Sequence, residues 1–259
     1  STLIHKMISR KYQSNFKRLF STKITRGVCQ KRDYNWLMKR AGMINKLAAA
    51  INQIPCSHPL RVAVDGVDAS GKTMLADELA GALNKITDRQ IIRASVDDFH
   101  QPEHIRRAKG SLSPEGFYHD SYNYPALIDG LLAPLGPDGE RHFQTAVFDY
   151  IQDQPLTPPL RIASLDAILL MDGIFLLRPQ LLPFWDVTLY IEAAFTNTVP
   201  RGAVRDAALF GSHAQAELRY QKRYVPGQQL YLSEACPLDK AEILIDNNKI
   251  DAPEILRLP

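Results

Sequence analysis

Cysteine is scarce in this chain of 259 residues. Only Cys29, Cys56 and Cys236 occur, too far apart for C-x-x-C or any other metal-ligand spacing. That excludes a disulfide-stapled scaffold and a zinc ribbon, and it fits a reducing compartment. No run of 18 apolar residues occurs, so no transmembrane helix is expected. Internal repeats and low-complexity tracts are also missing. Acidic residues are nearly absent from the first 40 positions, which hold eleven Lys/Arg and one acid, Asp33, for a net of +10. The remainder carries 20 bases against 27 acids, a net of −7, so the overall +3 hides a basic arm on a mildly acidic body.

That arm places Ile4, Ile8, Tyr12, Phe16 and Phe20 at helical spacing among basic and hydroxyl residues. A mitochondrial transit peptide has this composition. An arm packed on the domain, or one lying on a nucleic acid or membrane surface, has it too. The expectation is a basic extension over 1–40 and one domain over 41–259. The expected location is cytoplasmic, with mitochondrial as the alternative should the arm be a targeting signal.

Apolar residues make up 45% of the chain, enough for a full core. From residue 60 onward, strand and helix patterns alternate. Strands are expected at 60–65, 90–96, 145–149, 166–171, 187–192 and 242–246, several of them continuous apolar runs of the kind buried on both faces. Helices are expected at 41–54, 72–85, 124–132, 197–209 and 213–224. The alternation implies an α/β fold of three layers around a mainly parallel central sheet.

The first strand runs into Gly66-Val67-Asp68-Ala69-Ser70-Gly71-Lys72-Thr73, which matches G-x-x-x-x-G-K-[ST]. Glycines let the backbone turn so that its N–H groups face a phosphate. Lys72 is placed to reach the β- and γ-phosphates, and the Thr73 hydroxyl to ligate Mg²⁺. Leu75, Leu79, Leu83 and Ile86 give the following helix an inner face, and its N-terminus points at the same phosphates. This is the signature of a P-loop nucleotide fold, with a nucleoside triphosphate and Mg²⁺ as the expected ligands.

Two more strand ends carry acids. Asp97 and Asp98 follow the second strand, at the sheet edge where ligands bind in such folds. One of them can take a proton from an acceptor hydroxyl, and a turn or cap role suits the other. Asp172 follows the apolar run Leu169-Leu170-Met171, the pattern of an acid that holds Mg²⁺ through water. Four classes compete: a small-molecule kinase, a nucleoside monophosphate kinase, a GTPase switch and an ATPase motor. Asn248-Lys249-Ile250-Asp251 has the N-K-x-D form of guanine-specific switches. Only eight residues follow it, and it is read as a turn after the last strand.

The segments ASGKT, SVDDFH, YNYP, AVFDY, LLMDGIF and PRGAVRD, in this order over about residues 58–250, together resemble the uridine kinase / phosphoribulokinase family of P-loop kinases. Residues 113–118 and 223–232 resemble segments of bacterial uridine-kinase-like proteins. The resemblance implies that Asp97 is the base toward a ribose 5′-hydroxyl, with Phe99 and His100 beside the acceptor. It places Tyr122 and Asn123 at the position that grips the ribose diol, where the family has an acid, and Phe148 near the base. The family's base-reading histidine falls near Asp153. Asp172 takes the magnesium position. Arg201 and Arg205, four apart on one helix face, would clamp ATP phosphates as a lid of roughly 206–224 closes, and Arg219 and Arg223 repeat the spacing. Gly66, Asp68, Ala69, Ser70, Gly71, Lys72 and Thr73 would hold the nucleotide. Lys72, Asp97 and Arg205 would carry the chemistry. Arg106, Arg107 and Lys109 form a basic loop that is either solvated or set to meet a phosphate on the acceptor. The implied partner is a nucleoside-like small molecule, with neither nucleic acid nor membrane expected; a homo-oligomer stays open.

Overall fold

A computed structural model describes residues 31–258. The expectations for residues 1–30, including most of the basic arm, lie outside the described residues.

Six strands form the central sheet: β1 (Leu60–Gly66), β2 (Ile91–Ser95), β3 (Ile168–Gly173), β4 (Val187–Glu192), β5 (Ile243–Asp246) and β6 (Glu254–Arg257). Their order is β6-β5-β4-β1-β3-β2. β1 runs parallel to β3 and β4, β2 parallel to β3, and β5 parallel to β4, while β6 is an antiparallel edge. All seven residues of β1 and all six of β3 are buried, which is why these strands read as continuous apolar runs.

The strand period of two divides the core into two layers. Val62 and Val64 of β1, with Leu170 and Leu189, face α1 (Lys31–Asn52) and α2 (Lys72–Ile86). There Ile44, Leu47, Ala48 and Ile51 interlock with Leu75, Leu79 and Leu83. Ala63, Leu169, Met171 and Tyr190 face the opposite layer, which holds Leu127, Leu131, Phe175 and Tyr231. That layer includes α3 (Pro114–Asp120) and α6 (Val225–Ala235). Between them in sequence, α4 (Phe195–Asp206) and α5 (His213–Arg219) form a helical pair. A π-helical turn, Tyr220–Tyr224, links α5 to α6.

Several expectations are corrected here. Residues 145–149 do not join the sheet. Only Phe148–Asp149 is extended, in a two-residue ribbon with Gln154–Pro155. The helix expected at 41–54 begins at Lys31. Ile86 is 50% exposed, because α2 ends there and Thr87 turns extended. The helix expected at 124–132 is a short α turn, Tyr124–Leu127, followed by a π turn, Ile128–Leu132. β6 was not anticipated, so the N-K-x-D turn precedes a further strand.

One buried ion pair ties the sheet at the edge opposite the phosphate loop. Arg61, in β1, donates Nη2 to Asp186 Oδ1 at 2.9 Å and Nε to Oδ2 at 3.0 Å, and its backbone N–H also reaches Oδ2 at 2.7 Å. Arg61 is 4% exposed. Removing the acid leaves a desolvated guanidinium without its counter-charge, so Asp186→Ala is expected to destabilise the fold by about 3 kcal/mol. Urea unfolding checks this; a midpoint equal to that of the parent chain would refute it.

Candidate functional site

The phosphate loop leaves β1 at Gly66 and enters α2 at Lys72, as the motif requires. Ala69 takes a φ of 57°, left-handed for a residue with a Cβ. Gly71 has φ 96°, and a Cβ there would meet the Asn247 side chain at 2.7 Å. Such a loop needs support, and one neighbouring and two distant side chains supply it. Asp65 Oδ1 accepts from Gly66 N–H at 2.6 Å. Gln228 Oε1, on α6, accepts from Asp68 N–H at 2.6 Å. Asn247 Nδ2, just past β5, donates to the Ser70 carbonyl at 2.6 Å. Lys72 Nζ folds back to the Val67 carbonyl at 3.0 Å.

Asp172 ends β3 and lies in register with Val64 of β1 and Ser95 of β2. Its Oδ2 accepts from the Thr73 hydroxyl at 2.6 Å. Its Oδ1 pairs with Arg93 Nη2 at 2.7 Å, and Arg93 also donates to Asp77 on α2 and to the Leu170 carbonyl. Thr73 and Asp172 thus converge, as a hydroxyl and a carboxylate that share a magnesium shell must. The first amides of α2, Lys72 and Thr73 among them, have no intrahelical partner and suit phosphate oxygens. The residues present fit ATP and Mg²⁺ at this loop.

Asp97 opens a 3₁₀ turn, Val96–Phe99, just beyond β2. Ser95, rather than one of the acids, caps that turn through Oγ. The Tyr122 hydroxyl donates to Asp97 Oδ1 at 3.2 Å. Burial, and then the charge of Asp97, push the Tyr122 phenol well above its usual range, so it keeps its proton and remains a donor. His100 Nδ1 lies 2.8 Å from the Asp97 carbonyl, and its ring stacks on Tyr150 at 4.8 Å. Asp97, His100 and Tyr122 therefore come together on the ligand edge of the sheet.

Other expected contacts differ. Phe99 is fully buried in the core instead of facing an acceptor, because the 3₁₀ turn points it inward. The Asn123 side-chain oxygen caps the Tyr124–Leu127 turn, accepting from Ala126 N–H at 3.1 Å. Phe148 is buried at 6% exposure. Asp153 accepts from Glu103 N–H and pairs with Arg106 at 3.0 Å. Arg201 donates to the carbonyls of Asn247 and Asn248, at 3.2 and 2.7 Å, and so braces the turn beneath the loop. Arg205 is held by Asp206 at 2.7 Å and by the Tyr220 hydroxyl at 3.1 Å. Asn248, from the N-K-x-D turn, accepts from Ala194 N–H and Asn197 and donates to Asp246, so its side chain is occupied within the protein while Lys249, Ile250 and Asp251 are exposed.

Sequence reasoning missed Asp65, Arg93, Gln228 and Asn247. The signals were slight: an acid ending an apolar strand before the first glycine, and one arginine interrupting the run of β2. Asp65 is fully buried. Besides Gly66 N–H it accepts from Leu177 N–H at 3.1 Å and from the Tyr231 hydroxyl. Burial raises its pKa from 3.8 to about 6, against the opposing pull of these donors and of Lys72.

No protein-family model matches the chain. Solved structures do. A possible uridine kinase from Bacillus stearothermophilus aligns over 80% of this chain and 98% of its own, with a TM-score of 0.63 and 20% identity. D-glycerate 3-kinase from Cryptococcus neoformans var. grubii aligns over 83% of this chain and 97% of its own, at TM-score 0.53 and 13% identity. Phosphoribulokinase from Rhodobacter spheroides aligns over 73% and 70%, at TM-score 0.51 and 14% identity. The chain has a P-loop kinase fold. Within that class, its fold is the one found in uridine-kinase-like proteins and phosphoribulokinase.

Because the folded chain binds the Asp65 proton more tightly than the unfolded chain, this group favours folding most below about pH 4. The contribution is lost as pH rises through about 6. Relative to Asp65→Asn, the parent chain should lose on the order of 2–3 kcal/mol between these limits. Parallel stability–pH curves for the two proteins, from denaturant melts, would show that the proton is not held there.

Proposed function

We propose that this chain is an ATP-dependent kinase that moves the γ-phosphoryl group to a hydroxyl of a small molecule. The observation that supports this most is the placement of Asp97 and the Thr73–Asp172 pair on one sheet edge, at the carboxyl ends of adjacent strands. The fold shared with uridine-kinase-like, glycerate kinase and phosphoribulokinase structures agrees with it.

In this reading Asp97 takes the acceptor proton while the acceptor oxygen bonds to the γ-phosphorus, and the bond from that phosphorus to the β–γ bridging oxygen breaks to release ADP. Tyr122 orients the Asp97 carboxylate through its hydroxyl. Lys72 and the loop amides stabilise the charge that gathers on the transferred group. Thr73 and Asp172 would hold Mg²⁺, which neutralises charge on the β- and γ-oxygens. Arg93 fixes the orientation of Asp172. Arg205 is the lid residue assigned to the transition state, released for this from Asp206.

The finer assignment to the 5′-hydroxyl of uridine or cytidine rests on the resemblance in the sequence. Asn123 stands where the family grips ribose with an acid, and Asp153 stands near the base-reading position, already paired with Arg106. Sugar phosphates, pantothenate-like compounds and nucleoside monophosphates are the alternative acceptors. A regulatory nucleotide-binding protein without phosphotransfer is the reading from another class. It would prefer GTP and hydrolyse it slowly with no acceptor. The occupied Asn248 weighs against it.

Acceptor-dependent ADP release with purified protein, Mg²⁺ and ATP tests the proposal. Lys72→Ala should cut turnover by at least about 10²–10³-fold; substantial remaining activity would sink the assignment. Asp97→Asn should lower turnover by about 10²–10⁴-fold with ATP affinity little changed. Equal loss of turnover and ATP binding would instead make Asp97 structural.

A further inference from the structure

A cavity of about 600 Å³ is lined by Tyr150 and by His100, whose ring bonds the backbone carbonyl of Asp97. This size suits a small metabolite. No residue of the phosphate loop lines it. Its walls carry four arginines, Arg106, Arg107, Arg219 and Arg223, against one lining acid, Glu103. Arg106 is compensated by Asp153 and Arg107 by Glu103. Arg219 and Arg223 have no ion-pair partner among the described residues. Arg219 is half-buried and lies over the Phe210 ring at 4.7 Å.

Arg223 is the stronger signal. It is 6% exposed, and among the described residues its guanidinium donates only to backbone carbonyls: Ser113 at 3.1 Å, Arg106 at 3.3 Å, Ser111 at 3.4 Å and Gly110 at 3.5 Å. Desolvation, and the like charges of Arg219, Arg107 and Arg106, hold its pKa below the usual arginine value, against the pull of Tyr224. A desolvated cation facing other cations is costly unless a counter-charge is supplied. Carbonyl dipoles orient the guanidinium without neutralising it. Two uncompensated guanidiniums on one cavity call for a ligand of about two negative charges, which a phosphate monoester carries and a carboxylate does not.

We propose that this cavity is the acceptor pocket and that Arg219 and Arg223 bind a phosphate monoester already present on the acceptor. The inference rests on the kinase reading above and names its substrate class: a phosphorylated alcohol whose free hydroxyl faces Asp97. The product then carries two phosphates.

The test is ADP release with matched acceptors: nucleosides against their monophosphates, sugars against sugar phosphates, and hydroxy acids as the carboxylate arm. Turnover should favour the phosphorylated member. Arg219→Gln should raise its KM about ten- to hundredfold and leave the KM for ATP in place. Arg223→Gln should do the same if it folds, as circular dichroism would show; Arg219→Gln suffices if it does not. Equal or better turnover with neutral acceptors or hydroxy acids overturns the phosphate subsite and leaves the kinase standing. So does a rise in the KM for ATP in place of the acceptor's. Turnover with no acceptor removes the kinase reading. The subsite then stands or falls on calorimetry with glycerol phosphate, the loop saturated with ADP and Mg²⁺. Binding lost in Arg219→Gln supports it, and no binding refutes it.

Discussion

A left-handed loop cannot hold its own shape in water, and this one is held by Asp65. Its carboxylate sits without solvent at the end of β1, where one oxygen takes the amide that opens the phosphate loop. The other oxygen takes Leu177 N–H and the Tyr231 hydroxyl, which belong to the segment after β3 and to α6. Three parts of the chain thus meet on one group. Ala69 at positive φ costs of order 1–2 kcal/mol by itself, and Gln228 and Asn247 brace the loop on its other sides. The raised pKa of Asp65 reflects the desolvation that this arrangement carries.

The same helix that supports the loop also reaches the acceptor side. Gln228 bonds Asp68 at one end and the Tyr224 carbonyl at the other, and Tyr224 lines the cavity next to Arg223. A ligand charge that settles on Arg223 therefore acts on the turn that leads directly into α6. The proposed acceptor pocket and the nucleotide loop are joined by covalent and hydrogen-bonded steps within a few residues. Arg201 and Arg205 stand on α4, in contacts with Asn247, Asn248, Asp206 and Tyr220. Those contacts must be exchanged before either arginine meets a phosphate.

The local parts of the site were legible. Glycine spacing, a lysine and a threonine after an apolar strand specify the loop, and the acid near the end of β3 is the partner of Thr73. Of the parallel strands, β1 and β3 read as continuous apolar runs because all their residues are buried, whereas β2 and β5 alternate in burial. Residues 145–149 misled because Val147 packs against the core from a loop and Phe148 is buried in a two-residue ribbon, which a short apolar run cannot distinguish from a sheet strand. Phe99 and Asn123 were placed by resemblance, and local turn geometry gives them packing and capping work here.

The α/β alternation, the phosphate loop and the acids that follow β2 and close β3 are legible in the residues alone, because each is written in neighbouring positions or in a period of two or 3.6. Which side chains support them is set by the fold. Gln228 meets Asp68 across 160 positions, and Asn247 meets Ser70 across 177. Arg93 reaches Asp172 across 79, and Arg223 meets the loop at 110–113 across more than 100. No local pattern encodes such pairs, since they arise from the order in which parallel strands are laid beside β1 and from the helices that must cross between them.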